Sequence, residues 1–190
     1  MALKAVLLQT PVTDFQLRIQ IMKKANGWKP FLYDVTYTRV RLTNIVCTNL
    51  DPSFSIIEHC KLVAVSRDVN YMTGKVILLQ IPITDFQLRI QIMKKANGWK
   101  PFLYDMTVGC NFTKKLNPIT KLIWHAVQNV TNIKHDCPYN QNLEADHLSN
   151  LFVAKALLGL PVPPGEYAFF TTWKAYNVTR ATANFYGVFY

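Results

Sequence analysis

From Thr84 to Met93 the chain alternates: Phe86, Leu88, Ile90 and Ile92 fall on one side, Gln87, Arg89 and Gln91 on the other. A period of two with one apolar face predicts a half-buried antiparallel strand. Asn97-Gly98 follows, the strongest short hairpin signal. Lys100–Val108 then reads as the return strand, with Pro101 placing it at a sheet edge or a strand start. Three more strands are predicted upstream: Arg39–Asn49 and Ser55–Val65, either side of the turn Asp51-Pro52-Ser53, and Val69–Leu79. Downstream, the turn-rich stretch Gly159–Gly165 leads to the last two, Glu166–Tyr176 and Arg180–Tyr190. Tyr167, Phe169 and Trp173 share one side there, and Phe185 and Phe189 alternate in the same way.

The period lengthens once. Asn117-Pro118 combines a good N-cap with the residue favoured at the first helical position. Ile119, Leu122, Ile123, Ala126, Val127 and Val130 follow at spacings of three and four, which predicts an amphipathic helix over about 117–131. Short strands with one helix predict a mainly β fold, a two-sheet antiparallel β-sandwich.

One of the hairpins occurs twice. Leu7–Val35 repeats as Leu78–Met106, and only Thr10/Ile81, Val12/Ile83 and Val35/Met106 differ. Solenoid repeats are divergent and come in longer arrays, so a copied segment explains this better than architecture does. Residues 1–38 therefore read as a stray duplicate of the 75–109 hairpin, not an independent domain, and 39–190 as the β-sandwich domain. An isolated hairpin is marginally stable. The copy at Leu78–Met106, continuous with cysteine-bearing strands on both sides, is expected to hold the place in the sandwich. The other is expected to lie outside it or to pair with an edge.

The 190 residues are 50% hydrophobic and 13% aromatic, enough for a packed core. The net charge of +10 is spread along the chain, with Lys23-Lys24, Lys94-Lys95 and Lys114-Lys115 the only adjacent pairs. Because the charge is spread, a solvated basic surface is favoured over a nucleic-acid patch, and the aromatics that could stack on bases fall at core-facing strand positions. No stretch approaches the roughly 20 apolar residues of a membrane span. The apolar run after Met1 ends at Gln9, short of a signal-peptide core. Three glycosylation sequons, at Asn111, Asn129 and Asn177, and four cysteines favour an oxidising compartment. Cys47 and Cys60 lie symmetrically about Ser53/Phe54, so in a hairpin centred there they would face each other across the strands. Cys110 and Cys137 flank the expected helix, and a bridge between them would close it into a loop.

Little here asks for catalysis or a cofactor. There are no paired carboxylates at suggestive spacing, no Gly-rich phosphate loop, no nucleophile elbow and no cysteine/histidine pair at zinc spacing. His135-Asp136-Cys137 could suggest a thiol nucleophile, but that cysteine is better used in a disulfide. Asp146-His147 reads as a surface pair. The chain is expected not to be an enzyme and to bind no metal.

Several strings carry a resemblance: Thr43-Asn44-Ile45-Val46-Cys47, Ala96–Asp105 (ANGWKPFLYD), Asn117-Pro118-Ile119, Cys137-Pro138-Tyr139 and Pro163-Pro164-Gly165-Glu166-Tyr167. In this order they resemble a large insect family of secreted proteins of unknown function, DUF1091. That family is similar to the fly CheB chemosensory proteins and, more distantly, to the ganglioside-activator and ML (MD-2-related lipid-recognition) domains. The resemblance covers Thr43–Tyr190. It implies an immunoglobulin-like β-sandwich, an extracellular location, and sheets parted around a lipid or other apolar molecule such as a semiochemical.

Two functional expectations follow. The first is a carrier, with the cavity lined by Phe86, Leu88, Ile90, Ile92, Phe102, Tyr104, Phe169 and Trp173 and its mouth near Leu157–Pro164. The partner would be a hydrophobic small molecule or lipid, with a receptor as a further partner. The second is an extracellular interaction module with a filled core. Both need the same alternating pattern, and an apolar cavity of a few hundred Å3 separates them.

Overall fold

The computed structural model describes residues 3–8, 18–24, 28–31, 39–114, 121, 124, 127–156 and 162–190. Eleven strands are formed among them. β1 (Leu3–Leu8), β2 (Arg18–Lys24) and β3 (Trp28–Phe31) make one three-stranded sheet. The sandwich is built from β4 (Val40–Asn49), β5 (Ser55–Ala64), β6 (Asn70–Leu78), β7 (Phe86–Ala96), β8 (Gly98–Gly109), β9 (Leu143–Ser149), β10 (Gly165–Ala175) and β11 (Val178–Phe189). A five-stranded antiparallel sheet runs β4-β11-β10-β7-β8, and a three-stranded one runs β5-β6-β9. The chain thus forms the expected mainly β, two-sheet antiparallel β-sandwich.

The alternation read in β7 is the one observed. Phe86 and Ile90 are buried while Gln87 and Arg89 are exposed. Trp173 pairs with Leu88, Thr171 with Ile90 and Phe169 with Ile92, so the inward residues of β7 and β10 form one continuous surface. β10 and β11 join through Tyr176 (φ 53°) and Asn177 (φ 63°), the double left-handed geometry of a two-residue hairpin turn. Gly98 (φ 86°) serves the same purpose between β7 and β8. Pro101 lies on β8, an edge strand, where proline is tolerated.

In both copies of the repeat the two strands pair antiparallel. Met93 pairs with Pro101, Lys94 with Lys100 and Lys95 with Trp99. In β2–β3 the equivalent pairs are Met22 with Pro30, Lys23 with Lys29 and Lys24 with Trp28. The strands β7 and β8 join the five-stranded sheet through β10, whereas β2 pairs with β1 in the separate sheet β1-β2-β3.

The disulfides join Cys47 to Cys60 and Cys110 to Cys137, with Cα–Cα distances of 6.3 and 5.0 Å. The geometry expected for the first pair is corrected. β4 and β5 are not hairpin partners, because β4 pairs with β11 and β5 with β6. The chain arches from one layer to the other at Asp51–Phe54, and Cys47–Cys60 ties the sheets face to face. Asp51 shapes that arch: its carboxylate accepts from Ser53 N (3.1 Å) and Ser53 Oγ (2.6 Å) and pairs with Arg180. Cys110–Cys137 anchors the end of β8 to the segment that bridges back at Ile83 and Tyr139.

Most of the helix expected over 117–131 lies outside the described residues. Within it, Lys121, Trp124 and Val127 are helical, and Gln128 N donates to Trp124 O at 2.9 Å. β9 and the short helix Asn150–Ala156 were not expected. Ser149 Oγ accepts from Phe152 N (3.2 Å) as that helix's cap. Buried Asn150 donates to Val40 O and Asp68 O (both 2.9 Å) and accepts from Asn70 N (3.1 Å), holding the helix, β4 and the β5–β6 loop together.

The core divides in two. Val40, Leu42, Met72, Ala154, Tyr167 and Phe189 pack at one end of the sandwich. Phe54, Leu78, Ile83, Phe86, Tyr139 and Ala175 pack at the other.

Candidate functional site: an apolar cavity between the sheets

Between the sheets, bordered by residues of both clusters, lies a cavity of about 370 Å3 that opens to the surface. Its five-stranded wall is made by Ile45 and Cys47 of β4, Phe86, Leu88 and Ile90 of β7, Val108 of β8, Phe169, Thr171 and Trp173 of β10, and Ala181, Ala183 and Phe185 of β11. The opposite wall is Ile57 and Cys60 of β5, Met72, Gly74, Val76 and Leu78 of β6, and Leu143 and Leu148 of β9. Phe112, Trp124, Val127, Thr131 and Ile133, which precede β9, and Val153 of the short helix complete it. The residues come from both sheets at alternate positions, as sandwich geometry requires.

Of the eight lining positions expected from sequence, Phe86, Leu88, Ile90, Phe169 and Trp173 line this space. Ile92, Phe102 and Tyr104 do not. Gln91 pairs with Asp105 and Met93 with Pro101, so Phe102, Leu103 and Tyr104 stand against Ile92 alone and β8 bulges there. Tyr104 is left 37% exposed. Phe102 instead packs edge-on against Tyr167, centroids 5.3 Å apart, and Ile92 packs against the same end of the core. Lys94 Nζ lies 5.5 Å from the Phe102 ring and 5.4 Å from Tyr167, closing that end with a cation over two rings. In the expected mouth, Leu157–Pro161 lies outside the described residues.

The residues the pattern did not single out are small. Gly74, Ala181 and Ala183 occupy inward positions, and together they leave the space that larger side chains would fill. In sequence, Ala181 and Ala183 alternate with Thr182 and Asn184, a pattern that marks an inward face without showing that it borders a space.

Polar atoms in the wall are largely engaged. Thr171 Oγ1 donates to Ala183 O (2.5 Å) and accepts from Trp173 Nε1 (2.9 Å). At one end Arg180 stacks 4.2 Å from the Phe54 ring while paired with Asp51. Hydrogen bonds from Ser53, then from Arg180, hold the Asp51 carboxyl below its ordinary range. Tyr139, behind Phe86, donates to His135 O (2.5 Å), and burial, followed by the charge of Asp136, pushes its phenol up to about 12. His135 stacks on Tyr139, and His147 pairs with Asp146 at 2.7 Å on the surface. Cys137 is spent in its disulfide. Among the described residues no three histidine, cysteine or acidic side chains gather as a metal site. None of the described helices is long and apolar enough to cross a membrane. Asn111, Asn129 and Asn177 are all exposed.

This arrangement can hold apolar matter away from water. No curated protein matches the chain. Residues 88–169, from β7 through both cysteines of the second disulfide to β10, match the model of a family described as a protein of unknown function (DUF1091).

Proposed function

We propose that this protein binds a lipid or other hydrophobic small molecule between its two sheets. The observation that carries the reading is the cavity of about 370 Å3 whose walls are built of aliphatic and aromatic side chains. Its size falls within the roughly 300–1,000 Å3 of small-molecule sites. A filled interaction module would need no such space. The two disulfides fit an oxidising, extracellular setting. The resemblance to CheB-like and ML proteins adds that the ligand is an apolar semiochemical and the role chemosensory, with a receptor as the onward partner.

The test uses the refolded, oxidised full-length chain and an aminoanthracene fluorophore, whose emission rises in apolar surroundings. Saturable enhancement that tetradecanol reverses, and that Trp173→Ala weakens, supports the reading. No saturable signal, or one indifferent to the cavity wall, refutes it.

A further inference from the structure

The walls constrain the occupant beyond its being apolar. The space measures about 370 Å3. A cavity of roughly 150 Å3 takes up benzene, so similar packing leaves room for about 15 carbons here. A two-chain lipid has more than twice that.

Charge sets a second limit. Among the described residues that border the wall, the cations are engaged: Lys75 with Glu58 (3.2 Å) and Glu144 (3.7 Å), and Arg180, stacked on the buried Phe54 ring, with Asp51, while His59 Nε2 faces Thr73 Oγ1 at 3.3 Å. Lys174 pairs with Gln87, on the face of β10 opposite to Trp173 and Ala175. Thr131 Oγ1 lacks a partner, but it is buried without accessible surface and offers nothing to an occupant. Among the described residues a carboxylate inside would find no unpaired inward-facing cation, and an apolar interior disfavours an unpaired ion.

Resting on the carrier reading above, we propose that the ligand is a neutral, single-chain or compact molecule of about 15 carbons. An alcohol, ester, aldehyde or terpenoid qualifies. An ionised fatty acid or a two-chain phospholipid does not.

The experiment displaces the fluorophore from the full-length protein with linear alcohols from octanol to eicosanol, with myristate at mildly alkaline pH, and with dioleoyl phosphatidylcholine. Affinity is expected to tighten about fourfold per methylene and to level off near 15 carbons. Myristate is expected to bind at least about tenfold more weakly than tetradecanol. Ala183→Leu, or Gly74→Leu, should move the break to shorter alcohols by the carbons added to the wall. A Cβ at Gly74 meets nothing closer than His59 O at 3.6 Å, so the second variant covers a folding failure of the first. Affinity still climbing at eicosanol, myristate equal to tetradecanol, tight phospholipid binding, or an unmoved break in a folded variant overturns the proposal. Failure of every alcohol to displace the fluorophore would instead remove the carrier reading beneath it.

Discussion

Ala183→Leu distinguishes a cavity from a filled core by the sign of its effect. Ala183 pairs with Thr171 and Cys47 and lines the space between the sheets. The larger side chain takes three more carbons out of water, worth about 2.4 kcal/mol. Fixing its rotamer costs about 0.5–1 kcal/mol, which leaves a gain of about 1.5 kcal/mol. For a chain of this size the melting temperature should rise by about 3–6 °C. Ala168→Leu is the contrast, since Ala168 is 0% exposed between Met93 and Tyr186 and lies outside the cavity. Overpacking there should cost about 1–3 kcal/mol. Urea unfolding of delipidated protein measures both. A loss of stability at Ala183 comparable to that at Ala168 would show that no usable space exists, and would refute the reasoning.

Three further outcomes are expected. Replacing Cys47 and Cys60 by serine should cost about 3 kcal/mol, and replacing Cys110 and Cys137 slightly more, because their loops span 13 and 27 residues; denaturant midpoints of the two double variants should fall in that order. Thr131→Val removes a buried hydroxyl that has no partner, so melting temperature should hold or rise, by up to about 1 kcal/mol of stability. Ser53 and Arg180 hold Asp51 below its ordinary 3.8, Arg89 does so for Asp105, and Thr113 for Asp136. A depressed carboxylate contributes stability above its unfolded value and loses it as pH falls through the folded one. Urea midpoints should therefore be flat near neutrality and drop in acid, and Asp51→Asn should shallow that drop.

Strand order and cysteine pairing differ in how far sequence could reach. The alternations around Phe86–Ile92, Tyr167–Trp173 and Phe185–Phe189 are local, since each strand must bury one face, so those strands were legible to within three residues at their ends. The arch at Asp51–Phe54 was not, because the same turn chemistry serves a hairpin within one sheet and a crossing between two. Which one forms depends on β11, far along the chain, taking the ladder edge of β4, while β5 pairs with β6. β9 escaped notice because Leu143–Ser149 carries Glu144, Asp146 and His147 and has no clear apolar period. At the site, large inward residues were readable and the void was not. A cavity is made by what is missing at Gly74, Ala181 and Ala183 as much as by what is present. The irregularity that turns Tyr104 outward is a property of the β7–β8 register, not of local composition.

Native mass spectrometry of the refolded full-length protein with tetradecanol tests the central claim most directly. Wild type should retain the alcohol at one molecule per chain after buffer exchange, and Ala183→Leu should retain markedly less of it. Wild-type protein that retains nothing, or that retains several molecules with no dependence on the cavity wall, would contradict the account.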